Sequence, residues 1–168
     1  MAVLFYLSSA IALIAAAMAI SRRNAFHALL YVVVSLLAIA VVFFSLGAPF
    51  AAALEIIVYA GAIIVLFIFV VMMLNLGPSA IRLEDGFLTP AMWIGPGALA
   101  TVLLAELVVI VSRGDAGAVG SAIGPEEVSL SLFGPYVIGV ELASFLLLAG
   151  LVGAAYLGSG VRSTGGER

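Results

Sequence analysis

The chain has 168 residues, 65% of them hydrophobic and 9% charged, with a mean hydropathy of +1.37 and a formal net charge of −3. Soluble domains hold their apolar share near one half, so this composition excludes a soluble domain and reads as an integral membrane protein. The lack of cysteine rules out disulfides, thiolate nucleophiles, iron–sulfur ligation and cysteine-based zinc sites, a lone histidine (His27) cannot form a bis-histidine haem site, and no basic cluster is present for nucleic acid.

Apolar runs of the ~17–25 residues a bilayer requires predict an all-α integral membrane protein with five transmembrane helices at 2–20, 26–46, 50–76, 91–111 and 134–157. They form a single membrane domain over 1–168, with an outer loop at 112–132 and a loose tail at 158–168. In the first helix, Ala15-Ala16-Ala17 and Ala17-Met18-Ala19 look like signal-peptide cleavage sites, but Arg22 and Arg23 follow the apolar stretch where a signal would carry charge before it. The helix is read as retained, with Ala12/Ala16 and Ala15/Ala19 forming a face for close packing. Asn24 is placed to cap the second helix, and Gly47-Ala48-Pro49 forms a tight return with Pro49 at the first helical position of the third.

That third helix, closed by Gly77-Pro78, is about 27 residues long, or ~40 Å at ~1.5 Å per residue, against a hydrocarbon core of ~30 Å. It must tilt, protrude or depart from regular helix. The segment 79–89, with Arg82, Glu84 and Asp85, reads as a solvated loop, and Thr89-Pro90 then starts the fourth helix. Trp93 suits a headgroup boundary, and Gly95-Pro96-Gly97 should kink the first turns. Within 112–132, Val128, Leu130 and Leu132 alternate with serines, the pattern of a short extended piece, before Phe133-Gly134-Pro135-Tyr136 opens the fifth helix.

Arginine is the chain's basic residue, and its distribution sets the expected orientation. Arg22, Arg23, Arg82, Arg162 and Arg168 fall on one face and Arg113 on the other, which puts the N-terminus outside and the C-terminus in the cytoplasm.

Three acids, Glu55, Glu106 and Glu141, fall inside apolar spans, in the outer half of the membrane, ~8 Å (Glu55, Glu106) and ~10 Å (Glu141) from a helix end. An ionisable group in hydrocarbon is expensive unless neutral, paired or wetted, so each is a functional candidate, with a neutral carboxyl hydrogen-bonded to a neighbouring helix as the bland reading. Glu106, close to its helix end, is expected to reach the headgroups. Tyr59 follows Glu55 by four residues and so shares its helix face, and Gly61 weakens the helix beside them, serving either close packing or a π-bulge. His27 reads as an interfacial structural histidine, and Ser35, Ser144 and Tyr156 as hydroxyls satisfied locally.

The block HALLYVVVSLLAIAVVFFSLGAPFAAALEIIVYAGAIIVLFIFVVMMLN, together with FGPYVIGVELASFLLLAGLVGA and MWIGPG, resembles subunit J of the bacterial proton-pumping NADH:quinone oxidoreductase, respiratory complex I. The resemblance implies a multi-pass subunit of the bacterial inner membrane with no redox centre or cofactor of its own. NADH, FMN, iron–sulfur clusters and quinone belong to partner subunits. Its neighbours would be the quinone-site subunit, subunit K, an antiporter-like subunit and lipid, with no nucleic acid. It further implies that the third helix takes a π-bulge around Tyr59 to Phe67 and couples quinone chemistry to proton movement. The coupling or proton-path residues would be Glu55, Tyr59, Gly61, Val65, Phe67, Phe69 and Glu141, whereas Glu106 matches nothing in the pattern. Two alternatives stay open: a purely structural and assembly subunit, and the related membrane subunit of a cation/proton antiporter complex.

Overall fold

The computed structural model describes residues 2–73, 90–112 and 122–160. Within them lie five helices long and apolar enough to cross a membrane, and the regular structure of the described residues is helical throughout. The elements are α1 (Ala2–Ser21), α2 (Ala25–Ser45), α3 (Pro49–Met73), α4 (Pro90–Ser112), α5 (Pro125–Leu132) and α6 (Val137–Gly160). The expected Gly77-Pro78 stop, the Thr89 cap, the loop 79–89 and Arg82, Arg113, Arg162 and Arg168 lie outside the described residues.

The chain divides into two compact units, Met1–Ile123 and Gly124–Arg168. In the first, α1 and α2 form a hairpin whose seam is built of small residues: Ser8, Ala12, Ala15 and Ala19 on α1 and Ala38 on α2 are buried. Lipid tails are as apolar as leucine, so helices in a bilayer gain little from hiding greasy surface, and small side chains instead let backbones approach for dispersion contact. The expected small-residue face is therefore present but rotated, because Ser8 replaces Ala16 in the buried stripe. Ser35 on α2 donates its hydroxyl hydrogen to the Ala12 carbonyl at 3.0 Å, so it is satisfied across the seam and not locally as expected. Ile11, Val34 and Leu103 fill the space beside these alanines, and Leu103 brings α4 onto the hairpin.

Side-chain and backbone chemistry sets the ends of these helices. The Asn24 carboxamide oxygen accepts from the His27 N–H at 3.1 Å, the N-cap of α2. At the return to α3, Gly47 takes φ 81°, a left-handed conformation that glycine adopts without a Cβ penalty. The Gly47 and Ala48 N–H groups donate to Phe44 and Phe43 carbonyls at 3.1 and 3.0 Å, and Pro49 then starts α3. The Ile123 N–H donates to the Gly47 carbonyl at 3.0 Å. α4 runs through Pro96 as one helix.

The second unit departs from expectation in two places. Val128, Leu130 and Leu132 lie on a helix, α5, and not on an extended piece. Pro125 at its first turn and Glu126 and Glu127 beside its positive end favour helix, and the Val128/Leu132 spacing suits one helical face as well as the serine alternation suits a strand. The fifth span also starts later than 134, since Phe133, Gly134, Pro135 and Tyr136 form a turn and α6 opens at Val137. A Cβ on Gly134 would lie 2.7 Å from the Leu130 carbonyl oxygen, so that turn needs glycine.

Candidate functional site

α3 is a composite helix. Pro49–Leu54 is α-helical, Glu55–Ile63 is π-helical and Ile64–Met73 is α-helical again. The last wide turn closes where the Ile64 N–H donates to the Tyr59 carbonyl, five residues back. A π segment of nine residues is unusual, because such turns occur mostly as single bulges inside α-helices. The resemblance places the bulge around Tyr59 to Phe67; the wide turns instead begin at Glu55, share Tyr59 to Ile63 with that expectation, and leave Ile64 to Phe67 in ordinary α-helix. Gly61 lies inside them, and a Cβ there would meet the Ile56 carbonyl oxygen at 3.1 Å, the carbonyl five residues earlier that a wide turn brings alongside.

The wide turns change which side chains share a face. Glu55 is 8% exposed while Tyr59 is 52% exposed, so the expected common face of the two is not formed. A turn closed by i→i+5 bonds holds more residues than an α-turn, and residue i+4 then falls short of the position above residue i. Glu55 is buried on a segment that packs on α2. Val65, Phe67 and Phe69 project from the first unit and are exposed within this chain. Glu141 belongs to the second unit, where it is exposed on α6 and its backbone carbonyl accepts from the Ser144 hydroxyl at 2.8 Å.

Two clusters were not legible in the residues alone. Glu106 is 5% exposed and its Oε2 accepts from the Ser8 hydroxyl at 2.8 Å, joining α1 to α4, so it does not reach toward headgroups as its nearness to a helix end implied. The rise along α4 was the available signal; the partner, 98 residues away, was not visible. The second cluster surrounds Tyr31, which is buried, with the Arg22 guanidinium 5.3 Å from its ring centroid and the His27 ring 5.2 Å away. The Tyr31 hydroxyl occupies the space that a Cβ at Gly95 would need. Gly95 therefore has a packing task beyond any bend at Pro96, and His27 is buried within this cluster.

No group of three or more His, Cys, Asp or Glu side chains able to hold a metal ion occurs among the described residues. A cysteine-free, multi-pass helical chain whose third span carries wide turns around a glutamate, a tyrosine and a glycine is a membrane component with three acids, Glu55, Glu106 and Glu141, inside its spans. The sequence profile of the NADH-ubiquinone/plastoquinone oxidoreductase chain 6 family matches residues 15–157, and the chain belongs to that family. Among its relatives is the NADH-quinone oxidoreductase subunit J of Pseudomonas aeruginosa, 57% identical over 156 residues that cover 92% of this chain and 94% of the relative. The Escherichia coli K12 protein of the same name is 56% identical over 155 residues, 92% of this chain and 84% of the relative. The counterpart from Buchnera aphidicola of Schizaphis graminum is 47% identical over 155 residues, 92% and 95% of the two chains.

Proposed function

We propose that this chain is a non-redox membrane-arm subunit of a proton-translocating NADH:quinone oxidoreductase, in which α3 couples quinone reduction to proton translocation. The observation that carries the coupling role is the π-helical stretch Glu55–Ile63 with Gly61 inside it. Wide turns store backbone strain and cluster at functional positions, and a helix that converts a wide turn to an α-turn rotates everything beyond it. In this chain the residues beyond are Val65, Phe67 and Phe69, three bulky side chains exposed for a neighbour to read. Glu55, buried at the start of the wide turns, and Glu141 on α6 are the carboxyls assigned to the proton path or its gating.

On this reading the chain lies in the bacterial inner membrane with its N-terminus outside, between the quinone-site subunit, subunit K and an antiporter-like subunit. Electron transfer through NADH, FMN, iron–sulfur clusters and quinone takes place in the partners. The relatives named as NADH-quinone oxidoreductase subunit J support membership of such a complex.

Gly61→Leu tests it, because a side chain at this position presses on the Ile56 carbonyl, 3.1 Å from the first added carbon, and biases the helix between its wide and regular forms. In membranes holding a normal amount of assembled complex, quinone-linked NADH oxidation and the ΔpH it generates should both fall to a small fraction of wild type. Normal turnover with a normal ΔpH overturns the coupling role and leaves the assembly role. If the leucine prevents assembly, Gly61→Ala carries the same contact in a smaller side chain.

A further inference from the structure

We infer that the first unit binds the phosphodiester of an anionic phospholipid where α1 ends and α2 and α4 begin, with the Arg22 guanidinium as its main donor and Arg23 as a second charge. The site takes nothing from α3 and is independent of the coupling role.

Arg22 follows the last turn of α1, and its side chain lies back along that helix instead of reaching away from it. Side chains at a helix C-terminus lean toward the N-terminus, here into the span. One Nη group donates to the Met18 sulfur at 3.6 Å, and the guanidinium carbon stands 5.3 Å from the Tyr31 ring centroid. Nε is buried with no hydrogen-bond partner. A thioether and an aromatic face hold the group in place, but neither is an anion. Among the described residues no oxygen accepts from this guanidinium. Arg23, next to it, is exposed.

The described acids of the first unit are too far away to pair with these charges. Glu106 is bonded to Ser8, which is ~21 Å from Arg22 by helical rise along α1. Glu55 lies near the start of α3, beyond the other end of α2. The N-terminus of α2 adds partial positive charge on the side of the arginines.

The depth of the cluster selects the anion. α1 stops at Ser21 and α2 starts at Ala25, so the arginines stand where two apolar spans meet the headgroup layer. Because Gly95 packs on Tyr31, α4 brings Trp93 and Ile94 to the same level. Both are exposed, as is Ile20 on the last turn of α1. Paired cations bordered by exposed apolar side chains suit a ligand that joins an anion to hydrocarbon chains. A guanidinium stacked on an aromatic face keeps its Nη hydrogens for phosphate oxygens, and basic residues at a span end attract anionic headgroups.

Native mass spectrometry of the full-length chain in detergent, titrated with three compounds, tests the site. Phosphatidylglycerol is the anionic lipid, phosphatidylcholine has a phosphodiester without net charge, and glycerophosphoglycerol is the anionic headgroup without acyl chains. Wild type should retain one phosphatidylglycerol about tenfold more tightly than either of the others. Arg22→Gln should weaken that binding about tenfold, the effect of one lost charge-assisted hydrogen bond, and Arg23→Gln about fivefold. Phosphatidylglycerol binding that Arg22→Gln leaves unchanged overturns the inference, and is the result expected if a carboxylate of another chain faces Arg22. Equal retention of phosphatidylcholine overturns it too, as does glycerophosphoglycerol binding as tightly as the lipid, which would mark a site for soluble phosphate esters. If Arg22→Gln does not fold, Arg23→Gln, at an exposed position, decides by the same criterion.

Discussion

Tyr31 shows how much a single residue organises at one end of the first unit. Its ring is flanked by Arg22 and His27, and its hydroxyl fills the place of a side chain at Gly95. Cation–aromatic contact is worth about 0.5–2 kcal/mol depending on desolvation, whereas steric overlap in a packed site commonly costs about 1–3 kcal/mol. The overlap therefore dominates any substitution at Gly95. Gly95→Ala should lower the thermal stability of the lipid-embedded chain by about 1–3 kcal/mol, and Gly95→Ala with Tyr31→Phe should recover part of the loss, since the ring Cζ stands 3.1 Å from the added carbon once the hydroxyl is gone. Additive losses in the double variant would show that the two residues do not share this space. None of this was visible in Gly95-Pro96-Gly97 read alone, where proline chemistry points to a bend; the reason for the glycine lies on another helix.

At the scale of the element, α3 and α5 mark the two limits of what apolar pattern conveys. The excess length of α3 and its internal glycine pointed to a departure from regular helix, and the backbone departs, but its register moved toward Glu55 because hydrogen-bond choice along an apolar helix leaves no trace in composition. For α5 the serine alternation was outweighed by proline and two acids at a helix start. The functional weight of α3 can be separated from its packing. With normal amounts of assembled complex, Glu55→Gln and Tyr59→Phe together should reduce the ΔpH generated per NADH oxidised if α3 couples, and leave it unchanged if the chain only seals and assembles the arm. The spans themselves were legible to within a few residues, because a run of apolar side chains long enough to cross a bilayer has few other folded uses.

Across the whole molecule, the described surface is dominated by large apolar side chains, including Leu146, Leu147 and Val152 on α6 and Leu104 and Val108 on α4. Apolar area on this scale belongs against lipid or other subunits. Organisation within the first unit comes instead from the narrow α1–α2 seam, so the seam is where an enlarged side chain does most harm. Ala15, at 0% exposure, has no room for added carbons. Ala15→Leu should destabilise the hairpin by about 1–3 kcal/mol and lower the amount of complex recovered from membranes, as read by native electrophoresis, while Leu147→Ala on the exposed face of α6 should change that amount little. Two of the three membrane acids also part ways at this scale: Glu106 is enclosed by its own chain, whereas Glu141 is exposed on its helix and open to whatever the second unit meets.

The composition of that seam makes the chain's tolerance to change one-sided. A replacement scan that writes alanine at every position would pass over Ala12, Ala15, Ala19 and Ala38 without altering an atom, and at Ser8 would touch only a hydroxyl. Such a scan would report Ile11, Val34 and the Ser35 hydroxyl beside the seam while returning silence from the alanines that let the first two spans approach. The informative alphabet for this part of the chain is one of additions, with valine, leucine and phenylalanine as the probes.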